Sequence, residues 1–271
     1  MLLTSSLSGS CIVRWYACVR TVGRSPGPES IAARRDGFPR PGASNPVTTD
    51  HRRGAEVSNI DHYSRDRARH YQVHHDKSLR TRLTTWRERA CLRHALRDAG
   101  SPTTALDLPC GTGRFWPVFA EAGVESLIAG DGSAGMLEVA AGNRLGPKLP
   151  ERLVETSAFD MDLPDQCVDF AACMRFYHHL AMPGDRQALL GELKRVSRRH
   201  AAVSLWVDGN LAGNRRLRKP PPPDEPGYGK RRCRRREEVE AEFEQAGFRI
   251  VRAYDVWPLI YMWRLYLLEH D

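Results

Sequence analysis

The chain has 271 residues, 41% of them hydrophobic and 27% charged, enough for one domain with a sizeable core plus appendages. Its most apolar stretch, Trp257 to Leu268, is broken by Pro258 and Arg264 and is too short to span a bilayer, and the N-terminus lacks the basic region of a signal peptide. The 7 cysteines are scattered with no CxxC pair, which argues against a disulfide framework or a metal site and fits a reducing cytoplasm.

Residues 1–60 carry Gly, Pro, Ser and Arg without sustained apolar periodicity and read as disordered. The abrupt change of composition that follows places the expected working start near Val57, with the preceding stretch a mis-called extension. Residues 61–100 read as a helical N-terminal cap. Leu79, Leu83, Trp86 and Ala90 recur at helical spacing, Leu92, Leu96 and Ala99 continue that side, and Gly100 and Pro102 supply the stop.

From residue 101 to 271, strands and helices alternate. Strands are expected at Thr104–Leu108, Glu125–Gly130, Arg152–Ser157, Cys167–Cys173 and Ala201–Val207. Helices are expected at Arg114–Ala122, Ala134–Ala141 and Asp185–Ser197, the last with Asp185 as N-cap. A basic, Pro-rich insert spans 211–236. Its residues 213–236 hold ten Lys and Arg against two acids, an excess as large as the +8 of the whole chain. The insert reads as a solvated loop or as a patch for an anionic partner. A helix Glu237–Ala246 and a strand pair, Phe248–Tyr254 and Tyr261–Leu268, follow. This order predicts an α/β, Rossmann-like, mostly parallel sheet with helices on both faces and one antiparallel strand at its end.

The first strand ends in Asp107 and runs into Pro109-Cys110-Gly111-Thr112-Gly113. Glycines let backbone approach a ligand, and Pro117 suits the first helical turn. Ligands of open α/β sheets bind at the carboxyl ends of the strands, where this loop falls. A dinucleotide fold would want a third glycine, but Arg114-Phe115-Trp116 follows Gly113. An acid before the loop repels phosphate and suits the amino or sulfonium side of S-adenosylmethionine. Asp131 ends the next strand, 18 residues after Gly113, where a carboxylate can accept both ribose hydroxyls.

With these features, ALDLPCGTGR, LIAGDGSAGMLEVA and SAFDMDLPDQCVDFAACMRFYHHL resemble successive motifs of the class I methyltransferases, especially the methyltransferase type 11 group. The resemblance spans about residues 63–271. It implies a seven-stranded sheet with an antiparallel strand in the last-but-one position, and S-adenosylmethionine as cofactor. By that similarity Asp107, Gly111 and Gly113 line the methionine end, with Pro109, Thr112 and Arg114 from the same loop. Asp131, beside Gly132, holds the ribose and Met136 packs near the adenine. Ser157, Ala158 and Phe159 flank the adenine, and Met174 and Arg175 lie beneath the donor methyl. Pro109 departs from the group, which usually has a glycine there. The acid that contacts the adenine amine falls at Asp160, one residue from its usual place.

Further candidates lie toward the acceptor. His178 and His179 follow the fourth strand, where a histidine can act as general base. Tyr177, Trp206 and Asp208 are expected to touch substrate. Arg80, Arg82 and Trp86 form a basic–aromatic stretch able to bind an anionic group. Cys110 and Cys173 read as packing residues rather than nucleophiles. The functional expectation is methyl transfer to a small or medium, anionic acceptor. RNA methylation through the basic insert is the alternative, disfavoured because no RNA-binding module is recognisable and MRFYHH stands where base-amine methylating enzymes carry Asn/Asp-Pro-Pro-Tyr. A non-catalytic cofactor-binding protein is the third reading.

Overall fold

The computed structural model describes residues 79–145, 149–221 and 230–271, the side chain of Arg80 excepted. The expectations for residues 1–60, for a start near Val57 and for helix before Leu79 lie outside the described residues, as does the middle of the insert.

Helix α1, Leu79–Asp98, opens the described chain. Its buried residues begin at Glu88 and continue through Cys91, Leu92, Ala95 and Leu96. Leu79, Leu83 and Trp86, expected on the apolar side, are exposed. Helical spacing identifies a stripe, but the stripe is buried only where the helix packs against other elements, and on α1 that burial begins at Glu88.

Strands β1 (Thr104–Asp107), β2 (Ser126–Asp131), β3 (Arg152–Glu155), β4 (Val168–Cys173) and β5 (Ser197–Val207) pair in parallel in the order β3-β2-β1-β4-β5. β1 and β4 sit centrally and are almost wholly buried, so apart from Thr104, Asp107 and Asp169 their TALD and VDFAAC are apolar without alternation. Strand β8 (Trp263–Glu269) then runs antiparallel between β5 and β7 (Arg249–Asp255). The antiparallel strand is therefore not at the sheet's end, as chain order suggested, but in the last-but-one position. Burial explains the exchange. WRLYLLE is buried almost throughout and takes two neighbours, whereas RIVRAYD is largely exposed and suits an edge.

An eighth strand went unforeseen. β6 (Cys233–Arg234), inside the basic insert, pairs in parallel with Trp206 and Val207 of β5. Trp206 already pairs with Trp263 on its other side, and β4 reaches only as far as Val203. β6 therefore occupies the place where β4 would have continued, just past its carboxyl end.

Helices α2 (Trp116–Glu121) and α3 (Ala134–Ala141) join α1 over one face of the sheet, around Leu92, Leu96, Phe119 and Phe170. Helices α4 (Pro183–Val196) and α6 (Arg236–Gln245) cover the other, around Leu189, Leu193, Phe243 and Tyr266. Pro183 takes the first turn of α4, so the N-cap is Met182, and Asp185 lies inside that turn instead of capping it. Short helix α5 (Leu211–Leu217) falls where a loop was expected. Asn210 caps it by accepting a 2.7 Å hydrogen bond from Gly213 N.

Candidate active site

The carboxyl ends of β1, β2, β4 and β5 converge on one edge of the sheet, and two unlike half-sites form there.

The first surrounds the loop after β1. Cys110 N donates to Gly130 O at 2.8 Å, fastening the loop to β2. Gly111 and Gly113 adopt φ of +55° and +79°, and a Cβ on Gly113 would lie 2.6 Å from the Trp116 ring. Only glycine meets both conditions there. The Leu108–Pro109 bond is cis, with Pro109 half-buried. The helix starts at Trp116, two residues later than expected, so Arg114 belongs to the loop and its carbonyl accepts from Arg89.

Asp107 is fully buried at the end of β1, and neither carboxyl oxygen has a hydrogen-bond partner among the described residues. Burial first, and the neighbouring Asp131 second, push its pKa up to about 8. Asp131 is buried at the end of β2, and burial raises its pKa to about 6 against two backbone N–H donors. Those donors are Gly111 N at 2.9 Å and Ser133 N at 3.0 Å, one to each oxygen. They fix the carboxylate plane and leave further lone pairs for a ligand. Two buried acids with this little compensation make a site that favours a cation or a pair of hydroxyl donors.

The flanks are ordered by short-range bonds. Gly132 leads to Ser133, which caps α3 by accepting from Met136 N at 3.3 Å, leaving Met136 half-buried. Asn143, unforeseen, donates to Thr112 O at 2.9 Å. Ser157 Oγ accepts from Phe159 N at 3.0 Å, Ala158 is buried and Phe159 packs against Phe176. Asp160 is exposed.

The second half-site lies at the ends of β4 and β5. Met174 is buried, and Arg175 follows at φ +59°, held by its N–H to Ser204 Oγ at 2.7 Å. The Arg175 guanidinium donates to buried Glu88 of α1 at 2.9 and 2.6 Å and lies over Trp263. Sequence reasoning missed Glu88; the sign was an acid set mid-helix among six arginines, the helix's other acid, Asp98, standing at its end.

A 3₁₀ turn, Tyr177–His179, comes next. His178 is buried against the Trp206 ring at 5.1 Å, the edge of Trp263 at 4.7 Å and His179 at 4.2 Å, and its Nδ1 has no hydrogen-bond partner among the described residues. Burial, then His179, Arg231 and Arg175, hold its pKa well below the usual range, so it is neutral. Tyr177 does not join it. It points into the opposite face, donating to Glu242 at 2.6 Å beside Arg186.

The returning insert closes this half-site. Arg232 N donates to His178 O at 2.8 Å, and the Arg231 guanidinium lies over the Trp206 ring at 5.6 Å. Trp206 Nε1 and Arg231 Nε both lack a partner among the described residues. Arg234 donates to Leu180 and Ala181 carbonyls. Asp208, expected to touch substrate, instead accepts from Arg236 N at 2.9 Å and anchors α6. Arg82 and Trp86 are exposed on α1 and are not drawn into either half-site, and the side chain of Arg80 lies outside the described residues. Among the described residues no cluster of potential metal ligands forms.

Residues 106–205 match the model of a family described as a methyltransferase domain. No curated protein sequence matches the chain. Among solved structures, the chain is similar to a magnesium protoporphyrin IX methyltransferase from Synechocystis with bound SAH, at 15% identity and a TM-score of 0.58, covering 82% of this chain and 100% of that one. It is also similar to an S-adenosylmethionine-dependent methyltransferase from Clostridium acetobutylicum, at 13% identity and a TM-score of 0.58, over 75% and 98% of the two chains. A third is a 1,6-didemethyltoxoflavin-N1-methyltransferase from Burkholderia thailandensis, at 18% identity and a TM-score of 0.53, over 84% and 94%. At these identities the likeness is one of fold.

Proposed function

We infer that this chain, whose residues 106–205 form a class I methyltransferase domain, transfers the methyl group of S-adenosylmethionine to a small or medium, flat, anionic acceptor. The two buried, undercompensated acids fit the donor. Asp131 would take the ribose hydroxyls, and Asp107 would face the cationic methionine end with the backbone of Gly111 and Gly113. Met136, Ala158 and Phe159 would flank the adenine. The bound donor supplies a methyl group already activated on a sulfonium, so the protein's work is alignment and exclusion of water.

One observation carries the acceptor reading. Three polar atoms without partners among the described residues, His178 Nδ1, Trp206 Nε1 and Arg231 Nε, belong to side chains that stack on one another at the ends of β4 and β5. Buried polar atoms are normally paired, so an unpaired set in one place asks for a ligand. The indole wall suits a flat molecule, and Arg231 suits a negative charge. His178 is held neutral, so it can accept a hydrogen bond from an acceptor hydroxyl and orient it for attack.

Calorimetry on the full-length chain tests the donor: S-adenosylmethionine should bind and NAD should not, and the reverse would overturn the reading. Radiolabelled methyl donor offered with aromatic carboxylates and their neutral amides tests the acceptor. Preferential labelling of the carboxylates is expected; equal or greater labelling of the amides would count against an anionic acceptor.

A further inference from the structure

We propose that the rim of this site is a docking surface for an anionic lipid bilayer, built from α5 and the β7–β8 turn. The proposal does not depend on the acceptor assigned above. Leu211, Leu259 and Ile260 are 73%, 76% and 62% exposed, among the most exposed large apolar side chains described. They form one group, because Leu211 N donates to Leu259 O at 2.9 Å and Ala212 N to Ile260 O at 3.1 Å. Leu259 is held at φ +63°, a backbone conformation disfavoured for a leucine. The bonds to α5 account for the turn's backbone but not for its side chains, since a leucine and an isoleucine are left facing solvent where polar residues would serve the turn as well. Exposed apolar side chains grouped in this way mark contact surfaces.

The charges beside them select the partner. On α5 and its C-cap the exposed residues Leu211, Asn214, Arg215 and Arg218 recur at helical spacing, and Lys219 follows, also exposed. One face thus bears an apolar tip and a band of cations, the pattern that inserts side chains at a headgroup boundary while cations meet anionic lipid. RNA would fit the cations but not the aliphatic tips, since single strands are held by stacking on aromatic rings. The position is apt as well. α5 begins at Leu211, shortly after β5 ends at Val207, and the β7–β8 turn leads into Trp263, so the surface borders the half-site at the end of β5.

Sedimentation of the full-length protein with vesicles tests this without methyl donor, so its outcome is separate from that of the transfer reaction. Vesicles of phosphatidylglycerol mixed with phosphatidylcholine should carry the protein down, and pure phosphatidylcholine should not. Leu259→Asn with Ile260→Ser should weaken partitioning by about 100-fold, taking roughly 1.4 kcal/mol for each inserted side chain. Asparagine tolerates the left-handed backbone, so this variant keeps the fold, and unchanged S-adenosylmethionine binding checks that it does. Arg215→Gln with Arg218→Gln should cost about 30-fold. No sedimentation with the anionic vesicles would overturn the proposal. So would binding that ignores both variants, or salt-sensitive binding of a structureless RNA without vesicle binding.

Discussion

The two half-sites share one sheet edge and are built in opposite ways. The one at the ends of β1 and β2 is acidic, formed by neighbouring stretches of chain and fixed by backbone hydrogen bonds to a single carboxylate. The one at the ends of β4 and β5 is basic and aromatic, assembled from α1, the 3₁₀ turn, β5, β8 and the returning insert, and fixed by side chains. The difference matches the charges of the two proposed reactants. A cationic donor is drawn to the acids and an anionic acceptor to the cations, so each half-site disfavours the other's ligand.

The sharpest way to break this contrast is Asp131→Ala. Losing charge-assisted bonds to a donor should cost about 3 kcal/mol, or over 100-fold in S-adenosylmethionine affinity by calorimetry. A loss under tenfold would mean the ribose is held elsewhere. Next in size is Glu88→Gln, which leaves the half-buried Arg175 without its carboxylate. It should destabilise by about 2 kcal/mol and lower the melting temperature by roughly 5 °C in a thermal scan. Arg231→Gln should then separate the halves kinetically. KM for an anionic acceptor is expected to rise about tenfold, with donor affinity unchanged.

The smallest effect expected is one of pH. Asp107 keeps its proton up to about pH 8 in the free protein, and a cationic donor favours the ionised form. Donor affinity should therefore rise about fivefold from pH 7 to pH 8, followed by calorimetry, and the rise should vanish in Asp107→Asn. Folding stability moves the other way. Over the range from about pH 4 to pH 8 the folded chain holds a proton that the unfolded chain has released, so the free protein loses stability as pH rises.

The acidic half was legible in the sequence because its parts are contiguous. Asp107, the two glycines and Asp131 lie within one strand–loop–helix–strand unit whose spacing carries the geometry. The basic half was legible only in pieces. Tyr177 and His178 are adjacent in sequence, but a 3₁₀ turn rotates successive side chains by about 120°, sending them to opposite faces. Trp206 and Asp208 would share a side if the strand continued, but β5 ends at Val207 and the alternation ends with it. β6 has two residues and no periodicity of its own. It is a strand because β4 stops short and leaves the end of β5 unpaired, which is a fact of the sheet rather than of the segment. Arg231 was visible as charge, but its stacking on Trp206 was not.

The attachment of β6 has a consequence for how such a protein diversifies. The segment is attached at the end of β5, at His178 and, through Arg234, at the Leu180 and Ala181 carbonyls, while the donor loop is fastened to β2 on the far side of β1. The stretch from Leu211 to Arg236 can therefore vary in length and composition without disturbing Asp107 or Asp131. With the acceptor bound as proposed, descendants of this chain would change acceptors by rewriting one insertion while inheriting the donor site intact, so substrate range and cofactor chemistry would evolve at different rates within one domain.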